Sequence, residues 1–273
     1  DLAISVFEEL DPYFADCLRE MRTMGRLDLG SRDGKAPGGY NYPLYETGPP
    51  FIFMNAVGTT SDVITMVHEG GHAVHSFLTH PLPITGFKNF PSEVAELASM
   101  SMELLTMEHW HLIYTDPEEL RRAKRDQLER VLSILPWVAT VDAFQHAIYT
   151  HPEWTIKERS KAWVEIHQRF GGDVVDWSGL DKVRATLWHK QLHIFEGPFY
   201  YIEYAIAQLG AIGVWRNYKK NPTEALHMYT DALKLGYTRT LPEIYAKAGI
   251  SFDLSVSNVH ELITFVREEL DRL

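Results

Sequence analysis

Along most of the chain, hydrophobic residues recur at every third or fourth position, the spacing that gathers them on one face of an α-helix. Residues 3–25 show this pattern most clearly. Helices are predicted at 3–25, from an N-cap at Thr60 or Ser61 to about 79, from 92 to about 114, from 116 onwards with an interruption near Pro136, and at 155–170, 178–190, 199–219, 222–235, 241–248 and 258–272.

Residues 29–50 break the helical pattern with closely spaced Gly and Pro, which predicts a loop with at most short extended pieces. The apolar run at 51–54, bounded by Pro50 and Gly58, is the best strand candidate. No internal repeat, flexible linker or low-complexity tract divides the chain. We therefore expect a mostly α, multi-helix fold with a minor β-strand element, forming a single domain over residues 1–273.

Composition and charge then exclude several classes of protein. The 273 residues carry 26 Lys and Arg against 37 Asp and Glu, a net charge of −11, so we expect no nucleic-acid partner. The single cysteine, Cys17, cannot form an internal disulfide, whereas 13 histidines offer imidazole ligands for a metal. The most apolar stretch, 199–215, is short and contains Glu203, so we expect a core helix and no membrane partner.

The N-terminus lacks the features of a signal peptide, which favours a cytoplasmic location. The chain also opens without Met, in a segment with the pattern of a helix already under way. We therefore expect it to be part of a longer protein.

The clearest chemical signal lies inside the predicted helix that ends near residue 79. His68, Glu69 and His72 fit the pattern H-E-x-x-H, in which two imidazoles four residues apart share one helix face and can reach one metal ion. A carboxylate between them is placed to polarise a metal-bound water. An exposed helix face with His and Glu would show the same letters, so a third ligand is needed to support the metal site.

The next predicted helix supplies that candidate. Glu93, Glu96 and Glu103 lie on roughly one side of a helix whose other positions are strongly apolar. Glu96 is predicted to be the third ligand, Glu93 to hold a ligating histidine in the required tautomer, and Glu103 to support them. The alternative zinc-protease pattern needs Gly at 75 and a ligand at 78, but this chain has His75 and Leu78.

With these residues in place, the chain resembles the M3 family of zinc metallopeptidases, and most closely its oligoendopeptidase F branch. The resemblance spans nearly the whole chain in consistent order. The matching segments are TTSDVITMVHEGGHAVHSF (59–77), PSEVAELASMSMELL (91–105), HIFEGPFYYIEYAIAQLGAIGVW (193–215) and LPEIYAKAGISF (241–252).

The resemblance implies a zincin-like catalytic domain with a deep channel that cuts oligopeptides. It further implies one Zn²⁺ per chain at His68, His72 and Glu96, and a metal-activated water deprotonated by Glu69. His193, Tyr204 and Tyr201 resemble the family's later residues that bind substrate and stabilise the transition state, with Tyr204 as the leading oxyanion donor. Tyr200 is a further candidate for substrate binding. The alternative for these tyrosines is an ordinary role in the core.

Two departures from the family stand out. Gly70 replaces a residue that is usually bulky, and two adjacent glycines inside a helix should each cost it about 1 kcal/mol relative to Ala. Members of the family also carry a long N-terminal region, absent from this sequence, that is expected to complete the channel.

Substrate contacts are also predicted in the segment that precedes the helix with His68 and His72. The strand near Phe51–Asn55 could pair as an edge strand with an extended peptide, and the loop at Gly38 and Gly39 could close over substrate. Two alternatives stay open. One is a zinc carboxypeptidase, which needs a basic residue for the terminal carboxylate (Lys35, Arg184 and Lys190 are available). The other is an inactive, metal-retaining fragment that binds peptide.

Overall fold

A computed structural model describes residues 1–172 and 174–273 and confirms the mostly helical fold with a small sheet. Twelve α-helices occur in these residues: α1 (Leu2–Leu10), α2 (Pro12–Thr23), α3 (Thr60–Thr79), α4 (Ser92–Met107), α5 (Pro117–Thr150), α6 (Ile156–Gly171), α7 (Asp181–Thr186), α8 (His193–Glu196), α9 (Ile202–Lys220), α10 (Pro222–Leu233), α11 (Leu241–Lys247) and α12 (Val256–Asp271).

The sheet has three strands in the part of the chain that the structure describes: β1 (Leu27–Gly30), β2 (Tyr40–Leu44) and β3 (Gly48–Ala56), in the order β1-β3-β2. β1 runs parallel to β3, with Leu27 opposite Ile52. β2 runs antiparallel to β3, with Tyr40 opposite Phe53. The predicted strand at 51–54 is thus the middle of a longer strand, and the Gly- and Pro-rich segment at 29–50 contains β2 and the end of β1.

The predicted helix at 3–25 is wrong in one respect, because it is two helices. Pro12 lacks the N–H that would continue the first helix, and it is the first residue of α2. Asp11 between them has extended backbone, and its side chain accepts a hydrogen bond from the N–H of Tyr13 at 2.8 Å. This Asp-Pro pair therefore ends one helix and caps the next.

The N-cap of α3 also differs from the prediction, which placed it at Thr60 or Ser61. Thr59 is the N-cap, and it forms a capping box with Asp62. Oδ2 of Asp62 accepts hydrogen bonds from the N–H groups of Val57, Gly58 and Thr59 at 2.7–2.9 Å. One carboxylate therefore orders the turn that leads from the sheet into α3.

The interruption predicted near Pro136 does not occur, because α5 continues through this residue to Thr150. Helix α5 meets the length and hydropathy expected of a membrane span, although core helices of soluble proteins meet the same criterion. The preceding helix α4 is shorter than predicted and ends at Met107.

The described residues form two compact units, one of residues 1–128 and 207–273 and the other of residues 129–206. The first contains the sheet and the packed pair α3 and α4. The second has an aromatic core that includes Phe144, Trp163, Trp188 and Tyr201. The single catalytic domain over 1–273 stays a prediction.

Helices α3 and α4 approach closely because α3 has no side chain at Gly71. A Cβ atom there would lie 2.8 Å from Cα of Ser99 and 2.9 Å from the carbonyl oxygen of Ala98. Such distances are too short for any side chain. Gly71 therefore allows the metal-ligand candidates on α3 to face those on α4.

Candidate metal centre

Three side chains from α3 and α4 converge on one point. The metal-binding atoms of His68, His72 and Glu96 all lie within 4.8 Å of one another. Oε2 of Glu96 is 3.4 Å from Nε2 of His68 and 3.7 Å from Nε2 of His72. Ligand atoms about 2.1 Å from a tetrahedral zinc ion lie about 3.4 Å apart, so this donor set fits the metal.

A second layer of contacts holds the two histidine rings. Nδ1 of His68 lies 2.6 Å from Oε1 of Glu103, and the ring of His72 lies against the backbone oxygen of Ala95. The expectation that Glu93 holds a ligating histidine is not met, because Glu103 occupies that position. Seven residues turn a helix almost exactly twice, so Glu103 shares the face of Glu96, whereas Glu93 is rotated away by about 60°.

The charges around His68 favour a cation. Burial by itself would lower the pKa of His68, but hydrogen bonds from its ring to Glu103 and Glu96 and their charges raise it well above its ordinary value. Burial lowers the pKa of His72 to about 4, so that ring is neutral and has a lone pair to donate at pH 7. A positive charge between two carboxylates is thus the preferred state of this site, and a divalent cation would replace the proton on His68.

Glu69, the predicted general base, lies beside these residues. Its side chain is buried, and Oε2 has no hydrogen-bond partner among the described residues. Burial raises the pKa of Glu69 to about 7. A carboxyl group that changes protonation near neutral pH, next to a candidate metal site, has the properties of a general base.

The predicted glycine loop lies against Glu69. A Cβ atom at Gly39 would be 3.5 Å from Oε1 of Glu69 and 3.3 Å from Cγ2 of Thr65. Gly38 has a φ of +100°, which favours glycine. On the next strand, the amide of Asn41 lies 3.5 Å from the backbone oxygen of Glu69. The loop and β2 therefore border the candidate base.

Two side chains, one from β3 and one from the loop itself, fasten this connection between β1 and β2 to the sheet. Nδ2 of Asn55 donates to the backbone oxygens of Ala36 at 2.9 Å and Gly38 at 3.0 Å. Nζ of the buried Lys35 donates to the backbone oxygens of Asp28, Gly30 and Met54. These contacts therefore disfavour the predicted closing of this loop over substrate.

The expectation that Phe51–Asn55 is an edge strand is wrong. β3 lies in the middle of the sheet and is hydrogen-bonded to β1 on one side and β2 on the other. A peptide cannot add to a strand whose two edges are already paired. β2, which continues from the glycine loop, is an edge strand of this sheet.

In the second unit, His193 is the first residue of the short helix α8, and it lies in a chain of hydrogen bonds. Nε2 of His193 is 3.3 Å from Oη of Tyr204, and Nδ1 is 2.7 Å from Nε2 of Gln191. The indole N–H of Trp137 donates to Oε1 of Gln191 at 3.0 Å. Since an indole can only donate, Gln191 must present its NH₂ to Nδ1, which leaves Nε2 of the neutral ring as the donor to Tyr204.

Tyr200 and Tyr201 precede helix α9, which begins at Ile202. Tyr201 is buried in the aromatic core of the second unit, which agrees with the alternative of an ordinary core role, whereas Tyr200 is only partly buried. Both rings pack close to that of His193. Their role in substrate binding stays a prediction.

The sequence gives no signal for the residues that support the candidate metal centre and its neighbouring loop, or for the one that supports His193. Gln127, Gln191 and Asn55 each contact a predicted site residue or its loop through a side-chain amide. None belongs to a recognisable motif, and no spacing relates them to the residues that they contact. Only an alignment of homologues or the tertiary structure could reveal them.

Comparison with known proteins identifies the relatives of this chain. A model of peptidase family M3 matches residues 9–257. The chain is 24% identical to oligopeptidase PepF of Bacillus subtilis over its whole length, and 25% identical over 90% of its length to a plasmid-encoded oligoendopeptidase F of Lactococcus lactis subsp. cremoris. It also superposes over its whole length on a solved structure of PZ peptidase A with an inhibitor, with a TM-score of 0.93 and 30% identity.

These relatives are much longer than the chain. The chain covers 40% of the Bacillus protein, 41% of the Lactococcus protein and 48% of the chain in the solved structure. The similarity thus concerns less than half of each relative, and it includes the residues of the candidate metal centre.

Proposed function

The chain belongs to peptidase family M3, and we propose that it hydrolyses internal peptide bonds of short oligopeptides with one zinc ion bound by His68, His72 and Glu96. One observation carries the proposal. The three side chains converge within 4.8 Å of one another, beside the buried carboxylate of Glu69. Two imidazoles and one carboxylate are a donor set of catalytic zinc sites, in which a fourth position stays open.

The ion, when bound, supplies a Lewis acid that polarises the scissile carbonyl and lowers the pKa of water. Glu69 handles the proton. Its unpartnered Oε2 accepts the proton of the attacking water and then passes it to the nitrogen of the leaving amine. Because burial raises the pKa of Glu69 to about 7, the carboxyl group can both accept and release a proton near neutral pH.

Tyr204 is proposed to donate a hydrogen bond to the developing oxyanion, a role that the family resemblance suggests. Its own contacts support this proposal. Nε2 of His193 faces Oη of Tyr204, so the hydroxyl proton of Tyr204 is directed away from His193. Tyr201 is a proposed substrate contact on the same ground of resemblance, and Tyr200, whose ring packs close to that of His193, is a further proposed contact.

Main-chain recognition of substrate is proposed at β2 and at the loop with Gly38 and Gly39. Both border Glu69, and backbone groups bind peptides with little side-chain preference. Chain outside these 273 residues is proposed to supply the remaining wall of the channel, since the relatives are more than twice as long.

The contacts of Lys35 disfavour the carboxypeptidase alternative. Its Nζ is buried among three backbone oxygens and lies over the ring of Phe53, so it is not available to a substrate carboxylate. The other two candidates already make cation–π contacts, because Arg184 lies over the ring of Trp177 and Lys190 over that of Trp137. We therefore favour an endopeptidase.

The proposal is tested with an internally quenched peptide of about ten residues whose two ends are blocked. The unmodified chain should contain about one zinc per molecule and cut this peptide. Glu69→Gln should keep the zinc and lose about 10²- to 10⁴-fold in kcat, the usual worth of a general base. Glu165→Gln, which neutralises an exposed carboxylate, should change neither property.

Each alternative predicts a different result. A strict carboxypeptidase would leave the blocked peptide intact and cut only a peptide with a free C-terminus. An inactive peptide-binding fragment would bind zinc and cut neither peptide. A chain that binds no zinc at His68, His72 and Glu96 would overturn the proposal. A cytoplasmic location stays a prediction.

A further inference from the structure

Gln127 contacts the candidate metal centre from a third helix, α5. Its Nε2 lies 2.7 Å from Oε2 of Glu103, whose other carboxylate oxygen is 2.6 Å from Nδ1 of His68. A continuous path of two hydrogen bonds therefore runs from α5 through α4 to a predicted metal ligand on α3. No sequence pattern connects these three residues, which are 35 and 24 positions apart.

The direction of this contact is determined by chemistry. An ionised carboxylate only accepts hydrogen bonds, so Gln127 must present its NH₂ group to Glu103. The reverse orientation would bring two oxygens to 2.7 Å. Gln127 is 1% exposed, and its Oε1 has no hydrogen-bond partner among the described residues. The hydrogen bond from Nε2 to Glu103 is therefore the contact that favours this position of the buried side chain.

The second hydrogen bond restricts the carboxylate of Glu103. The terminal torsion of a glutamate is broad, and one hydrogen bond to His68 leaves the carboxylate plane free to rotate. A donor on the other oxygen defines that plane and keeps Oε1 directed at Nδ1 of His68. With its Nδ1–H donated to Glu103, the neutral ring of His68 presents Nε2 to a metal.

We infer that Gln127 is a positioning residue for the metal centre, which acts through Glu103 to hold His68 in its metal-binding tautomer and orientation. This inference rests on the proposed zinc site. It does not require that the chain be an active peptidase.

The test compares Gln127→Met with Gln145→Met. Met has similar length to Gln without its hydrogen-bonding groups. Gln145 is a fully buried glutamine on the same helix, so its replacement controls for the loss of a buried amide. Zinc affinity is measured at constant pH by competition with a chromophoric chelator, and unfolding of the metal-free proteins is followed in parallel.

Gln127→Met should weaken zinc binding by about tenfold, the lower end of the range for outer contacts of a metal ligand. Gln145→Met should change it by less than twofold. The visible spectrum of the cobalt-loaded protein should shift in Gln127→Met and not in Gln145→Met, because the orientation of His68 changes only in the former. Equal zinc affinities and identical cobalt spectra in the unmodified chain and Gln127→Met would overturn the inference.

A double-mutant cycle tests the route through Glu103. Glu103→Gln alone should weaken zinc binding by about 10- to 100-fold. If Gln127 acts through Glu103, adding Gln127→Met to Glu103→Gln should weaken binding by less than a further twofold. Fully additive losses would contradict that route.

Two safeguards keep the test decisive. If Gln127→Met does not fold, Gln127→Asn replaces it, because its amide falls short of Glu103 by about 1.5 Å and the same tenfold loss is expected. If the unmodified chain binds no zinc, the proposed function fails. If it binds zinc and cuts peptide while the Gln127 variants bind zinc equally well, only the inference about Gln127 fails.

Discussion

The phenyl ring of Phe7 occupies the space into which a side chain at position 70 would project. A Cβ atom on Gly70 would lie 2.6 Å from Cζ of Phe7, and Phe7 is fully buried. The ring comes from α1 and packs against α3 at a position that lies between the two predicted histidine ligands in sequence but on the opposite face of the helix. Gly70, which by sequence alone only weakens its helix, is therefore matched by a large residue from another helix.

This contact predicts that a smaller residue at position 7 makes room for a larger one at position 70. Phe7→Ala should cost about 3–5 kcal/mol of unfolding free energy, and Gly70→Leu more than about 1 kcal/mol through overpacking. In the double variant, the leucine occupies space left by the ring, so the loss should be at least about 1 kcal/mol smaller than the sum. Urea unfolding measures all three.

Phe14→Ala combined with Gly70→Leu is the matched control, because Phe14 is equally buried, whereas the three atoms nearest to a Cβ at position 70 all belong to Phe7. Its losses should add. Additive losses in the Phe7 pair as well would contradict the packing described for Gly70.

Asp62 should make stability depend on pH at the start of α3. Burial by itself would raise its pKa, but the backbone N–H groups of Thr59, Val57 and Gly58 hold the pKa below its ordinary value. A carboxyl group with a lowered folded-state pKa stabilises the fold fully above its unfolded pKa of about 3.9, and this contribution is lost as pH falls through the folded value.

Asp62→Asn should therefore cost about 1 kcal/mol of unfolding free energy at pH 7, the usual worth of a cap. The difference from the unmodified chain should shrink as pH falls below about 4. Urea unfolding at a series of pH values measures it, with the exposed Glu165→Gln as reference. A difference that is constant from pH 7 to the acid limit would contradict this account.

Asn55 should determine how well the glycine loop is held for substrate. Asn55→Ala removes the donor to two loop carbonyls, which together contribute about 1–2 kcal/mol. Because a loosened loop must be ordered when substrate binds, we expect KM to rise about five- to tenfold with a smaller change in kcat. Initial rates with the quenched peptide measure both constants.

Asn258→Ala is the control for that experiment. Asn258 also donates its side-chain amide to a backbone oxygen, that of Asp253 at 2.7 Å, in the turn before α12. It should leave KM unchanged. An unchanged KM in Asn55→Ala would show that the loop does not contribute to substrate binding.

Gln191 should affect kcat through His193. In the unmodified chain, the side-chain NH₂ of Gln191 donates to Nδ1 of His193, so the ring proton lies on Nε2 and is donated to Tyr204. Gln191→Leu removes this donor, and the proton can then occupy Nδ1 instead. If Tyr204 donates to the oxyanion, kcat should fall about tenfold while KM changes little, because the interaction is made in the transition state. Gln168→Leu, an exposed glutamine of the same unit, is the control. An unchanged kcat would contradict the proposed role of this hydrogen-bond chain.

The arrangement of the candidate metal ligands along α3 was predictable from the sequence. A spacing of four residues on an α-helix places His68 and His72 side by side whatever surrounds the helix, because helix geometry is a local property of the backbone. For the same reason, Glu96 and Glu103 could be placed on one face of α4. Pro and Gly correctly indicated a break in the helical pattern at 29–50, although the position of β2 within this segment was not predictable.

Contacts between distant parts of the chain were decided only by the tertiary structure. It placed Glu103 rather than Glu93 on His68, Gln127 behind Glu103, and Phe7 against Gly70, three pairs separated by 24 to 63 positions. It also placed β3 in the middle of the sheet. Such pairings depend on which faces pack together, and periodicity along the chain reports only which residues share a face, not what that face contacts.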